Sequence, residues 1–427
     1  MDVLPMKGDV SPLPAALGRR RLLKGAGLLG LASLCGPGLA PFRALAATAP
    51  ADALVVPLSG GPYQNDGASP WSAELPVGSA GQTLKLCFDT GSNFIWMTSS
   101  VCAEKGNQCQ HYGGGQFQYQ LSDSFRWVDR TPKPVSFGPW GTMTVASGTD
   151  RITLPGGGGQ PTTFYLAENY SGAQFAQLNW DGGIGLPSGS AYVDPAVSFF
   201  VADLMDAGLM DPEYPYVSFS TDPAAGIGTC RFGRPDPDAV DPRSGIRMPW
   251  QPYTAFEGVE YIWSTRLDEY RLGDLVFSDL MFCLDSGSSQ FKGDDAVMSG
   301  TLARLRELPV KPPLQLTLGQ SLAGGPGRVT VPPSVYEVLI QAGPDLGEVQ
   351  PQFMPLGLTG MVLVGSVVMD LFCTIYEYGV TKANGRHVLT PVAMHLYDKP
   401  GRQLIADRAA AGNAAVLGPK PVAKEPS

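Results

Sequence analysis

One pattern occurs twice in this sequence, and the repetition restricts the architectures open to the chain. Leu86-Cys87-Phe88-Asp89-Thr90-Gly91-Ser92 and Met281-Phe282-Cys283-Leu284-Asp285-Ser286-Gly287-Ser288 each run an apolar, strand-like stretch into Asp-(Thr/Ser)-Gly-Ser. An apolar-Gly element follows each at a comparable distance: Gly185 stands 96 residues after Asp89, and Gly365 stands 80 after Asp285. A duplicated unit is the simplest account. Asp-Thr-Gly and Asp-Ser-Gly are common turn tripeptides, so one occurrence alone would say little. Two in register, with matched apolar leaders, say much more.

An Asp that ends a buried apolar strand is costly unless its carboxylate is hydrogen-bonded. The residues that follow supply what is needed: hydroxyls that donate, and a Gly that lets backbone amides approach the carboxylate oxygens. If the two units pack about a pseudo-twofold axis, Asp89 and Asp285 meet at that axis. Carboxyls that close cannot both ionise easily, so they share a proton and their titrations split. One member can then activate water while the other, protonated, polarises a carbonyl, with no metal, cofactor or covalent intermediate.

The rest of the chain reads as all-β. Short apolar runs at Trp71–Val77, Thr83–Phe88, Phe94–Met97, Thr142–Ala146 and Arg151–Leu154 are separated by Gly/Pro/Asn/Asp clusters, the spacing of strands and turns. Helical periodicity is sparse, with Ala196–Ala207 and Asp295–Leu308 as the main candidates and Ser334–Gln341 as another turn or two. The Pro-, Asp- and Arg-rich stretch Gly233–Met248 is the expected passage between two lobes, placed at 47–240 and 241–405, and the Ala/Gly/Pro/Lys-rich residues 406–427 read as a flexible tail.

Residues 1–46 are read as a leader. Arg19-Arg20-Arg21-Leu22-Leu23-Lys24 precedes an apolar run from Gly25 to Leu34 and then Ala44-Leu45-Ala46. That is the order of an export signal cleaved after Ala46, and it resembles the twin-arginine bacterial type. The apolar run is too short to span a bilayer; a lipid anchor at Cys35 is the lesser alternative. The expected location is therefore periplasmic or extracellular. The formal charge is −9, and losing a leader of +4 leaves about −13, which argues against nucleic acid or an anionic membrane as partner. Only three His are present, scattered without ligand spacing, so a His-based zinc site or a Ser-His-Asp mechanism has little material. Cys102 and Cys109 flank a short polar loop and are expected to form a disulfide, permitted in an exported protein. Cys87, Cys283 and Cys373 sit in apolar runs and read as buried thiols; the pairing of Cys230 is left open.

With these residues in view, the chain resembles the pepsin-like aspartic peptidases. Phe88-Asp89-Thr90-Gly91-Ser92-Asn93-Phe94-Ile95-Trp96 and Ser100-Val101-Cys102 carry the resemblance in the first half. Asp181-Gly182-Gly183-Ile184-Gly185-Leu186 and Leu363-Val364-Gly365-Ser366 carry the two apolar-Gly elements, with Ser366 where the family usually has Asp. The resemblance runs from about Val55 to Val392. It implies the bilobal pepsin-like acid protease fold, two pseudo-twofold-related β lobes with a few short helices, and a monomeric endopeptidase that binds an extended polypeptide between them.

Carried over by position, Asp89 and Asp285 would be catalytic, Ser92 and Ser288 would bond their outer oxygens, and Thr90 and Ser286 would brace the lobes. Gly91 and Gly287 would leave carbonyls free for substrate. Trp96 would back a flap whose usual Tyr is replaced by Phe137, next to Gly138, or by Trp140. By strand alternation, Cys87 and Cys283 point to the same face as the aspartates and are candidate cleft residues. The competing reading is a peptide-binding relative that has lost turnover through the altered flap.

Overall fold

The computed structural model describes residues 53–107, 109–137, 141–410 and 417–423. The expected leader, Cys35, and the flap residues Gly138 and Trp140 lie outside these residues. The regular structure is mainly strands, with a few short helices. Trp71–Val77 pairs antiparallel with Gln82–Asp89, and its Ala73, Leu75 and Val77 point into the core. The same period of two places Met143 and Val145 inward while Thr142 and Thr144 face away.

The sequence repeat is also a structural repeat. In the first half, Gly182–Gly185 lies parallel to Gln82–Asp89, with Asp89 opposite Gly185, and antiparallel to Ile95–Thr98. In the second, Met361–Val364 lies parallel to Leu275–Leu284, with Leu284 opposite Val364, and antiparallel to Phe291–Gly293. Each Asp thus emerges at the end of a strand hydrogen-bonded to the apolar-Gly strand from the end of its own half.

A long antiparallel sheet joins the halves. Its order is Ala53–Gly60, Ile227–Gly233, Tyr216–Asp222, Phe372–Ala383, Arg386–Asp398 and Gly245–Pro249. The crossing from one half to the other is the pairing of Phe219 with Thr374 and its neighbours. One continuous apolar core runs through both halves, which fixes the two Asp-bearing strands relative to each other.

Several local expectations change. Thr142–Ala146 and Arg151–Leu154 belong to one strand, Thr142–Thr153, because Ser147 to Asp150 keep their partners on Gly159–Ser171. The helix expected at Ala196–Ala207 is shorter than its periodicity, Phe200–Asp206, since Asp194 turns the chain at Ala196 instead. The helix Asp295–Glu307 begins where Asp294 accepts the amides of Ala296 and Val297. Ser334–Gln341 holds one helical turn, Pro333–Tyr336, and then a strand, Glu337–Leu339.

The stretch 406–427, read as a flexible tail, is packed in part. The Ala406 amide donates to the Arg328 carbonyl at 3.1 Å and the Ala409 amide to the Arg243 carbonyl at 2.7 Å. Tyr216 donates its hydroxyl to the Gly418 carbonyl, and Lys420 pairs with Glu377 at 3.2 Å. Composition alone did not register these few anchoring residues. No helix among the described residues is long and apolar enough to cross a membrane.

Candidate active site

Asp89 and Asp285 come together at the junction of the halves, each buried to 7% exposure. How closely they approach is visible in the two glycines. A Cβ on Gly91 would stand 2.4 Å from Asp285 Oδ1, and one on Gly287 would stand 2.2 Å from Asp89 Oδ1. No side chain fits there, so each motif needs its Gly to admit the other motif's carboxyl. Each carboxyl also accepts from its own loop: Gly91 N–H to Asp89 Oδ1 at 2.8 Å, and Gly287 N–H to Asp285 Oδ1 at 2.9 Å.

Beneath the carboxyls, Thr90 and Ser286 bond reciprocally. The Thr90 amide donates to Ser286 Oγ and the Ser286 amide to Thr90 Oγ1, both at 3.0 Å. The hydroxyls then donate across the junction, Thr90 to the Leu284 carbonyl at 3.0 Å and Ser286 to the Phe88 carbonyl at 2.6 Å. Four buried bonds therefore hold the two loops in one geometry, and losing either hydroxyl would leave one buried amide unpaired.

The outer oxygens are not treated alike. Ser288 Oγ donates to Asp285 Oδ2 at 2.5 Å. Ser92 lies where it favours the charged form of Asp89, yet its hydroxyl closes no hydrogen bond among the described residues, which corrects the symmetrical expectation. The Gly287 carbonyl is also not free: Ser69 N–H donates to it at 2.8 Å. The cause is the segment 61–70, which lies on the second Asp loop. Ser289 N–H donates to the Gly67 carbonyl, and Gln290 bonds Asn65.

The cleft above the carboxyls encloses about 380 Å³. Phe94, Phe137 and Trp180 line it from the first half, and Val259, Ile262, Leu356, Leu358 and Leu363 from the second. Cys87 and Cys283 do not line it. Both are buried and pack in the same apolar clusters as the cleft-lining Phe94 and Ile262, and burial holds their thiols well above the ordinary range. Strand alternation gave the side correctly but not the exposure: Cys87 lies against the Ser286 carbonyl of the opposite loop at 3.9 Å, and Cys283 is fully buried. Cys102 and Cys109 are joined as a disulfide, and Cys230 and Cys373 are free and buried.

Trp96 is fully buried and meets Phe137 edge-on, with ring centroids 6.0 Å apart. Its indole N–H has no partner among the described residues. Two charged residues escaped the sequence reading. Asp370 lies one helical turn beyond Ser366 and accepts from Trp71 Nε1 at 2.9 Å and Thr221 Oγ1 at 2.6 Å. A buried carboxyl is thus present near the position where Ser366 departs from the resemblance. Lys292, 5% exposed, lines the cleft beside Asp285. Aligning the repeat would have flagged it, since it stands seven residues after Asp285 as Trp96 stands seven after Asp89.

With the geometry described, comparison with known proteins places the chain. The family model described as "Eukaryotic aspartyl protease" matches residues 71–306, which is more than half of the 427 residues. The chain belongs to this pepsin-like family. It is 30% identical to rhizopuspepsin-3 of Rhizopus niveus over 171 residues, covering 40% of this chain and 41% of that protein. With cathepsin E of Cavia porcellus it shares 26% over 237 residues, covering 55% of each. With pepsin B of Canis lupus familiaris it shares 25% over 215 residues, 50% of this chain and 51% of that one. The matched stretches thus span about half, or less, of these relatives' lengths.

Two predictions follow from the charges and the orphaned indole. Burial, then repulsion by Asp285, raises Asp89 to about 7. Burial raises Asp66 to about 7 and Asp370 to about 6. Unfolded Asp titrates near ~3.9, so between about pH 4 and pH 7 the folded chain binds more protons than the unfolded one. Stability must then fall as pH rises through that window; buried His395, whose pKa is lowered, opposes with a single proton. Thermal unfolding is expected to give a higher Tm at pH 4.5 than at pH 7.5, and the reverse order would contradict these assignments. Separately, Phe137→Tyr is expected to give the Trp96 N–H a partner and to stabilise by about 1 kcal/mol in denaturant titration. The gain should vanish when Trp96→Phe is added.

Proposed function

We propose that this protein is an aspartic endopeptidase in which Asp89 and Asp285 activate water for attack on a peptide bond. The observation that carries the reading is the reciprocal approach of each Asp to the other motif's Gly. It brings two carboxyls to one point, where burial and mutual repulsion favour a single shared proton. Such a pair has a base and an acid available at the same pH. An extended polypeptide would lie in the cleft, and the aromatic and aliphatic walls favour large apolar side chains beside the scissile bond.

The wider reading is consistent with this. We take residues 47–240 and 241–405 as the two lobes of a monomer, and residues 1–46 as a twin-arginine-type export signal. The Cys102–Cys109 disulfide suits an oxidising compartment outside the cytoplasm.

The test is cleavage of a denatured protein between pH 3 and pH 7 by the chain lacking residues 1–46, with and without pepstatin. Wild type is expected to cleave and pepstatin to block it. Asp89→Asn and Asp285→Asn should each lower kcat by at least about 1,000-fold while leaving the fold intact, the scale of losing a group that acts as part of a unit. A folded wild-type protein that cleaves nothing across the range would favour the peptide-binding alternative.

A further inference from the structure

The two halves are near-copies around the carboxyls, but one charge breaks the symmetry. Seven residues past each Asp, on the strand that flanks the apolar-Gly element, the first half has Trp96 and the second has Lys292. Trp96 brings no charge to Asp89. Lys292 Nζ donates to Ser288 Oγ at 3.0 Å and to the Gly67 carbonyl at 2.7 Å. An ammonium has only donors, so Ser288 must accept from it, and the single Ser288 hydroxyl proton is left to point at Asp285 Oδ2, 2.5 Å away. On the opposite side Ser92 favours the charged form of Asp89, but among the described residues its hydroxyl closes no hydrogen bond and no cation orients it as Lys292 orients Ser288.

From this relay we infer that Lys292 is a positioning residue that places the pair's negative charge on Asp285 and leaves the shared proton on Asp89. The inference rests on the peptidase reading and deepens it. Asp285 is then the base: it takes a proton from water as the water oxygen adds to the carbonyl carbon, while Asp89 gives its proton to the carbonyl oxygen. When the C–N bond breaks, Asp285 passes its proton to the leaving amine and the tetrahedral hydroxyl returns one to Asp89, restoring the starting state.

The charged and titratable surroundings agree. Burial lowers the Lys292 pKa, while Asp285 in its own half, Asp66 on the segment 61–70 and Asp89 across the junction favour its charged form. Asp66 is buried and raised to about 7, so in acid it is neutral and does not draw the ammonium away. Cys87, Cys283, Tyr261 and Tyr376 also face the pair, and burial keeps all four neutral there. The segment 61–70 completes the device, because its Gly67 carbonyl holds the ammonium over Ser288.

The experiment compares wild type with Lys292→Met, which keeps the stem and drops the charge, and with Lys292→Arg. Asp66→Asn serves as a control. In the pH profile of kcat/KM, the acidic limb of Lys292→Met is expected to move up by at least about one pH unit, the size of removing an opposite charge at this range. Lys292→Arg should restore most of the shift, and Asp66→Asn should leave the acidic limb in place. An acidic limb in Lys292→Met that coincides with wild type would overturn the inference. The second readout needs no turnover: carboxyl resonances of carbon-13-labelled aspartate, assigned through Asp89→Asn and Asp285→Asn. Asp285 should ionise before Asp89 in wild type, and the gap should narrow in Lys292→Met. The opposite order would overturn the assignment even in a protein that cleaves nothing, whereas the expected order with no cleavage would remove only the peptidase reading.

Discussion

Two carboxyls buried against each other cannot both carry a charge, and the structure around Asp89 and Asp285 is arranged to hold one negative charge instead of two. In water the pair would separate. Here separation is blocked, because each carboxyl rests on the other motif's glycine and the Thr90–Ser286 bonds tie the two loops together below. Those loops end strands that belong to one continuous core, so the repulsion is borne by the packing of both halves. The cost of keeping the carboxyls together is that burial, then repulsion by Asp285, raises Asp89 to about 7.

The environment is polar where the charge sits and apolar elsewhere. Backbone amides of Gly91 and Gly287 reach the inner oxygens, and Ser288 reaches the outer oxygen of Asp285. Around this spot the walls are aromatic and aliphatic, so water competes weakly and the few fixed dipoles count for more than they would in solvent. The segment 61–70 belongs to the same arrangement. It spans the two halves through Gln64 to Asn179 on one side and Asn65 to Gln290 and Asp345 on the other. By engaging the Gly287 carbonyl it removes one acceptor that the resemblance left open to substrate.

Much of this was legible in the sequence because it depends on local rules. Period-two apolar runs give strands, and Asp-(Thr/Ser)-Gly-Ser after such a run has few stable explanations besides a bonded carboxyl on a tight loop. The repeat then supplied the symmetry that pairs Asp89 with Asp285. What stayed hidden depends on contacts between distant segments. That Ser69 would bond Gly287, that Gly418 and Lys420 would dock on Tyr216 and Glu377, and that Cys87 and Cys283 would be covered and not line the cleft are properties of how loops lie across one another. Lys292 is an intermediate case. Its burial could not be read from the run Gln290-Phe291-Lys292-Gly293, but its position opposite Trp96 in the repeat could.

The central claim is that the two aspartates bind protons as one unit. It is tested most directly by potentiometric titration of wild type against the Asp89→Asn/Asp285→Asn double variant, taking the difference in protons bound from pH 2 to pH 9. The account predicts two separated steps in the difference curve, one proton leaving near pH 7 and the other at least about two units lower, as a strongly interacting pair requires. A single two-proton step near ~4, the range of independent carboxyls, would contradict it.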